Sequence, residues 1–147
     1  MPGIPILPPL AAVVLFAVWG LVLVLSIGGW RLSQIATGQK KAGDFPAGQQ
    51  HGSDAYWRLN RAHMNVVENL PFFAALVLAG LYLQVQDTAF QVLPSLILYA
   101  RVAQSVIHVS SGSAAAVTLR FLCYVVQVVS MFVIAWIVLK AAGLALP

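Results

Sequence analysis

The chain has 147 residues, of which 61% are hydrophobic and only 8% are charged, with a formal net charge of +4. Soluble domains carry about 25% charged residues, so the composition excludes an ordinary soluble protein and indicates one integral membrane domain over residues 1–147. No basic cluster is interleaved with aromatic residues, and we therefore expect no nucleic-acid partner. The single cysteine, Cys123, excludes an intrachain disulfide.

Four segments are apolar and long enough to cross a bilayer as helices, which takes about 20 residues each. The first opens on Pro8 and Pro9, which suit a first helical turn, and ends at Trp30 and Arg31, an aromatic beside a cation as at a membrane interface. A polar, glycine-rich loop precedes the second segment, and short turns separate the others. The sequence predicts an all-α membrane four-helix bundle with spans at about 8–32, 55–84, 89–109 and 114–140.

Positive charges are distributed unevenly between the loops. Arg31, Lys40 and Lys41 lie in or beside the first loop, whereas the second turn has no lysine or arginine. By the positive-inside rule, we expect the first and third loops to face the cytoplasm and both termini to face away from it. The polar halves of helices two, three and four then lie at the same depth.

The most polar stretch of the chain lies at the start of the second span. Arg61, Asn65 and Glu68 follow an i, i+4, i+7 spacing and share one helix face. Charge at this depth is expensive, so such residues face a bundle interior, a cavity or a subunit interface. One interpretation is purely structural, with Glu68 pairing with Arg61 or Arg101 to hold the bundle together.

A second interpretation rests on the excess of positive charge. One carboxylate, Glu68, cannot neutralise four arginines at the same depth, and uncompensated guanidinium groups are typical of an anion site. Asn65 and Tyr124 could add orienting hydrogen bonds. No cysteine and histidine cluster has the spacing of metal ligands, so we expect no metal. The arginines are Arg58, Arg61, Arg101 and Arg120.

The third span carries further polar residues at helical spacing. Arg101, Gln104, Ser105 and His108 follow an i, i+3, i+4, i+7 pattern. We expect Gln104 to form a hydrogen bond between helices rather than to bind a ligand. The roles of His63, His108 and Cys123 stay open.

The second-span motif resembles the signature of the MAPEG family, the membrane-associated proteins of eicosanoid and glutathione metabolism. That signature is an Arg-Ala-x-x-Asn-x-x-Glu core followed shortly by a proline, and here it runs from Arg61 to Pro71. The four-span layout, the polar first loop and the pair Arg120 and Tyr124 in the last span are similar to the family as well. The compact chain and short turns resemble its bacterial branch, which implies the inner membrane.

The resemblance implies a homotrimer that binds glutathione as co-substrate between neighbouring subunits, on the cytoplasmic side. Arg61, Asn65 and Glu68 would hold the glutathione backbone and carboxylates. Arg31 would reach in from the neighbouring subunit. The resemblance implies catalytic roles for the fourth-helix pair: Arg120 would stabilise the glutathione thiolate, and Tyr124 would line its site. The implied activity is that of a glutathione transferase or peroxidase acting on lipophilic electrophiles that arrive from the bilayer.

Three positions depart from the prostaglandin E synthases and other members of that family. Met64 stands in place of a second arginine, His108 in place of a tyrosine, and Asn69 in place of a tyrosine found in some members. These departures favour broad glutathione chemistry over eicosanoid chemistry. They also support an alternative, a non-catalytic trimer that binds or scaffolds. A small four-helix exporter is the third hypothesis, although an exporter requires an unpaired membrane carboxylate and Glu68 lies among arginines.

Overall fold

The computed structural model describes residues 5–46 and 48–144 of the chain. Its four α-helices are α1 (Pro9–Ala36), α2 (Asp54–Tyr82), α3 (Thr88–Ser110) and α4 (Ala114–Ala141). All four are long and apolar enough to cross a membrane. The predicted all-α four-helix membrane bundle is therefore confirmed. The two chain termini, whose side of the membrane the sequence predicts, lie outside the described residues.

Helix starts are fixed by local side chains. Ser53 accepts a hydrogen bond from the Tyr56 amide and caps α2, and Ser113 caps α4 through the Ala116 amide. Asp87 caps α3 by accepting from two amides of its first turn. These oxygens satisfy amide groups that have no partner within the helix itself. The short turns before α3 and α4 therefore supply the capping residues of these two helices.

The bundle is arranged so that α1 and α4 lie across from one another. α1 packs on α2 and α3, while α4 packs on α3 and α2, and α2 also contacts α3. Because successive helices run in opposite directions, the end of α1, the start of α2, the end of α3 and the start of α4 meet at one end. Most of the charged residues of the helices therefore lie in the half of the bundle nearer that end, and Lys140 lies at the other end.

The core is mostly apolar, and the outer surface is apolar as well. Phe16 and Phe73 are fully buried, with ring centroids 5.2 Å apart. On the outside, Leu25 is 72% exposed and Phe132 is 73% exposed. Such exposure would favour aggregation in water but suits contact with lipid chains or with another subunit.

The contact between α2 and α3 depends on one small residue. Gly80 is buried, and a methyl group there would overlap the ring of Phe90. We expect Gly80→Ala to destabilise the protein by about 1–3 kcal/mol, as overpacking of a core does, despite the better helix propensity of alanine. Gly28→Ala is the control, because nothing lies within 4 Å of the added methyl group. Thermal unfolding in detergent measures both, and equal melting temperatures would contradict this packing.

Candidate functional site

A cleft of about 270 Å³ opens at the polar end of the bundle, where α2, α3 and α4 meet. Asn65 lines it from α2, and Arg120 and Tyr124 line it from α4. Gln104 and His108 line it from α3, one helical turn apart. Three of the six predicted site residues are thus brought together from two helices, although 55 positions separate Asn65 from Arg120 in the chain.

Positive charge is concentrated around this cleft. Arg120 lines the cleft together with His108, and Arg58 and Arg61 lie on the α2 turns that precede Asn65. Arg58 is partly fixed, because its Nε donates to the Val109 carbonyl oxygen at 3.3 Å and joins α2 to the end of α3. An anion entering the cleft would therefore meet cations contributed by two helices.

Two predicted site residues on α2 lie outside the lining of this cleft. Arg61 and Glu68 are both exposed on the surface of the single chain, while Asn65 between them is half-buried and faces α4. One chain therefore leaves a cation and a carboxylate of the motif uncovered at the depth of the bundle.

Arg101 does not belong to the cleft, although the sequence grouped it with the other arginines. It is 1% exposed, and its guanidinium carbon lies 5.7 Å from the centroid of the Phe16 ring. Its Nε and Nη2 atoms have no hydrogen-bond partner among the described residues. The excess charge at the site therefore comes from Arg58, Arg61 and Arg120, while Arg101 lies in the core against α1.

Arg31 lies at the end of α1 in a separate aromatic cluster and is not among the residues that line the cleft. Its Nε donates to the Tyr56 hydroxyl at 2.7 Å, and its guanidinium carbon lies 5.4 Å from the centre of the Phe45 ring. Trp30 stacks on Tyr56 with centroids 3.7 Å apart. The first loop thus folds back on α1 and α2 and fixes the position of Arg31.

A glycine allows this loop to close on the aromatic cluster. Gly52 has a φ of +75°, in the left-handed region that favours glycine. A methyl group there would lie 2.8 Å from the Trp30 ring and 2.9 Å from the Tyr56 ring. The backbone of the loop therefore approaches the stacked rings more closely than any other residue would allow.

An apolar groove of about 320 Å³ adjoins the polar cleft between α2 and α4. Tyr124 lines both, so the groove begins where the cleft ends. From there Phe72, Met131 and Phe132 line the groove towards the middle of the bundle, with Asn69 near its polar end. The arrangement offers adjacent surfaces to a polar anion and to a lipophilic molecule.

Sequence reasoning did not single out Gln127, which lies buried beside the cleft-lining residue Gln104. Its signal is weak, because it is an uncharged side chain in a stretch, residues 121–139, that has no charge to mark a site. The sequence assigns no role to His108, and the structure places it in the lining of the cleft. Within residues 5–46 and 48–144, no group of three or more histidine, cysteine, aspartate or glutamate side chains is placed to hold a metal ion.

The chain is a four-helix membrane bundle with a polar, arginine-containing cleft at one end and an apolar groove beside it. The sequence matches the profile of the MAPEG family over residues 9–140, nearly its whole length. The chain therefore belongs to the MAPEG family, the proteins of eicosanoid and glutathione metabolism, and the resemblance noted in the sequence is confirmed. No curated protein matches the chain.

Proposed function

We propose that this protein is a glutathione-dependent membrane transferase or peroxidase that presents the glutathione thiolate to lipophilic electrophiles. One observation carries the proposal: a single cleft gathers Asn65, Arg120 and Tyr124, to which the resemblance to the family assigns roles at the glutathione site, next to an apolar groove. Membership of a family of glutathione and eicosanoid metabolism supports it.

The proposed chemistry depends on ionising a thiol. A free thiol with a pKa near 8.5 is only a few per cent thiolate at about pH 7. A guanidinium group nearby can lower that pKa by about 1–3 units, and Arg120 is the cleft-lining cation on α4. The thiolate sulfur attacks the electrophilic carbon, a carbon–sulfur bond forms, and the leaving group departs with the electron pair of its bond.

The second substrate is proposed to reach the thiolate along the apolar groove. Tyr124 marks the boundary between the two surfaces, and the groove beyond it is lined by aromatic and aliphatic side chains. A lipophilic electrophile dissolved in the bilayer would lie in the groove with its reactive carbon at that boundary. Holding both reactants in this geometry would convert a bimolecular collision into a reaction within one complex.

A homotrimer is part of the proposal, because one chain presents only part of the site. Arg61 and Glu68 are exposed, and Arg31 lies in its own aromatic cluster away from the cleft. Charged side chains at membrane depth require partners or a water-filled cavity. A neighbouring copy that packs against α2 would cover the exposed pair and bring its own Arg31 towards the cleft.

Calorimetric titration of glutathione into the purified, detergent-solubilised protein tests the proposed function. We expect saturable binding, followed by turnover with a model aryl halide as the electrophile. Binding without turnover would favour the non-catalytic trimer. Absence of binding to correctly assembled protein would refute the glutathione function and leave the exporter hypothesis.

The first loop is proposed to face the cytoplasm, because lysine and arginine are concentrated there. We expect a Gly43→Cys variant in a Cys123→Ala background to be protected from a membrane-impermeant maleimide in intact cells and to react after lysis. Gly43 suits the test because nothing lies within 4 Å of a Cβ atom added there. Gln86→Cys, in the exposed turn between α2 and α3, should react in intact cells. The reverse labelling pattern would contradict the proposed orientation.

A further inference from the structure

Two buried amide side chains join α3 to α4 beside the candidate site. Gln127 of α4 is 0% exposed, and its Nε2 donates to Gln104 Oε1 at 3.1 Å and to the Cys123 carbonyl oxygen at 2.8 Å. Gln104 Nε2 in turn donates to the Arg120 carbonyl oxygen at 3.2 Å. The amide pair therefore holds the turn of α4 that carries Arg120, and Tyr124 directly follows Cys123.

Helix packing alone does not account for this pair. Gln127 Oε1 is buried and has no hydrogen-bond partner in the part of the chain that the structure describes. An unsatisfied buried polar atom costs about 1–3 kcal/mol, whereas a hydrogen bond between membrane helices contributes about 0.6 kcal/mol on average. Two apolar side chains of the same size would pack without that cost, so the pair is explained better by the geometry it imposes than by stability.

The imposed geometry concerns the rotation and depth of α4 against α3. Gln104 also lines the cleft. Its two hydrogen bonds therefore fix the position of the Arg120 turn relative to the wall of the cleft. Ser130, one turn deeper on α4, shows the contrast. It is also buried, but its hydroxyl donates to the Val126 carbonyl oxygen of its own helix at 2.7 Å and adds no link to α3.

We propose that Gln104 and Gln127 are positioning residues that set the α4 turn so that the Arg120 guanidinium faces the glutathione sulfur. This inference rests on the proposed glutathione function. Neither glutamine needs to touch the reacting atoms, because both act through the backbone of α4. A displacement of about 1 Å can lower a rate about 100-fold, so a shift of half that size is expected to cost about tenfold.

The test compares variants that keep side-chain length but lose the amide. Gln104→Met removes the bond to the Arg120 carbonyl oxygen, and Gln127→Met leaves that bond but removes the anchor of Gln104. For Gln104→Met we expect the midpoint of the thiolate absorbance titration of bound glutathione to rise by about one pH unit, with turnover near neutral pH about tenfold lower. Glutathione affinity should change less than threefold, and Gln127→Met should show a smaller effect in the same direction. Ser130→Ala should leave the midpoint unchanged.

A purely structural pair would change the melting temperature but not the titration midpoint. The inference is overturned if assembled Gln104→Met has the wild-type midpoint, or if Ser130→Ala shifts it equally. If Gln104→Met does not assemble, Gln127→Met decides in the same way, and failure of both to assemble would make the pair structural. If wild-type protein itself gives no thiolate absorbance with glutathione, the proposed function fails instead, which is a distinguishable result.

Discussion

Asn65→Ala is expected to weaken glutathione binding between about 30-fold and several thousand-fold. Asn65 lines the cleft from α2, between the exposed Arg61 and Glu68. Losing one partner of a buried hydrogen bond to a charged group costs about 2–5 kcal/mol, and each 1.4 kcal/mol corresponds to a factor of ten. Arg61→Ala and Glu68→Ala should weaken binding in the same range, provided that a neighbouring copy covers their exposed side chains. Calorimetry on each purified variant gives the affinity.

Asn60→Ala is the matched control for Asn65→Ala. Asn60 lies on the same helix, and its side-chain amide donates a hydrogen bond to the Tyr56 carbonyl oxygen of that helix at 2.8 Å. It is not among the residues that line the cleft. Its replacement should leave glutathione affinity unchanged. Size-exclusion chromatography must show that each variant assembles like the wild type, because Glu68→Ala could disrupt the proposed trimer. Assembled variants of Arg61, Asn65 and Glu68 with wild-type affinity would show that glutathione does not bind here.

Arg120→Leu is expected to lower turnover near neutral pH by about tenfold or more while changing glutathione affinity little. The thiol is uncharged before it ionises, so a guanidinium group stabilises the thiolate and the transition state more than the bound thiol. Removing it should raise the pKa of the bound thiol by at least about one unit, equivalent to roughly 1.36 kcal/mol. The reactive form is the deprotonated one. Activity lost at neutral pH should therefore return in part as the pH rises through the higher pKa.

Two companion variants separate this charge effect from other changes on α4. Tyr124→Phe removes one hydroxyl from the cleft and should be milder, because a neutral hydrogen bond contributes about 1 kcal/mol. Lys140→Leu removes a cation from the opposite end of the same helix and should leave the pH profile of turnover unchanged. A loss of activity in Arg120→Leu that is the same at every pH would assign a structural role to Arg120.

The fold could be predicted from sequence because membrane helices are encoded locally. Each span is a continuous apolar segment, and its backbone satisfies its own hydrogen bonds. Antiparallel order then places the polar halves together without any knowledge of packing. The same argument grouped Asn65 with Arg120 and Tyr124, and the structure places all three on one cleft.

The position of Arg101 could not be predicted in this way. Helical spacing shows that Arg101, Gln104 and His108 share a face of α3, but it does not show which neighbouring helix each one meets. α3 is surrounded by α1, α2 and α4, so residues one turn apart on that face reach different partners. Arg101 contacts Phe16 of α1, whereas Gln104 contacts Gln127 and the cleft.

Contacts between single residues that lie far apart in the chain also have no recognisable pattern in the sequence. Gln127 of α4 donates a hydrogen bond to Gln104 of α3, and neither residue belongs to a sequence repeat that would indicate the pairing. The aromatic cluster around Arg31 joins Trp30, Phe45 and Tyr56 from a helix end, a loop and a helix start. Loops have no periodicity, so the composition of residues 33–54 indicated a polar connection but not that it folds back on the stacked rings.

Ultraviolet difference spectroscopy on the wild-type protein tests whether the cleft beside Arg120 binds glutathione and ionises its thiol. Glutathione is titrated into the purified protein near neutral pH, with S-methylglutathione, which has no thiol to ionise, as the matched ligand. We expect a saturable thiolate absorbance with glutathione but not with S-methylglutathione, with a pH midpoint about 1–3 units below that of free glutathione. Saturable binding with no thiolate absorbance, or a midpoint equal to that of free glutathione, would contradict this expectation.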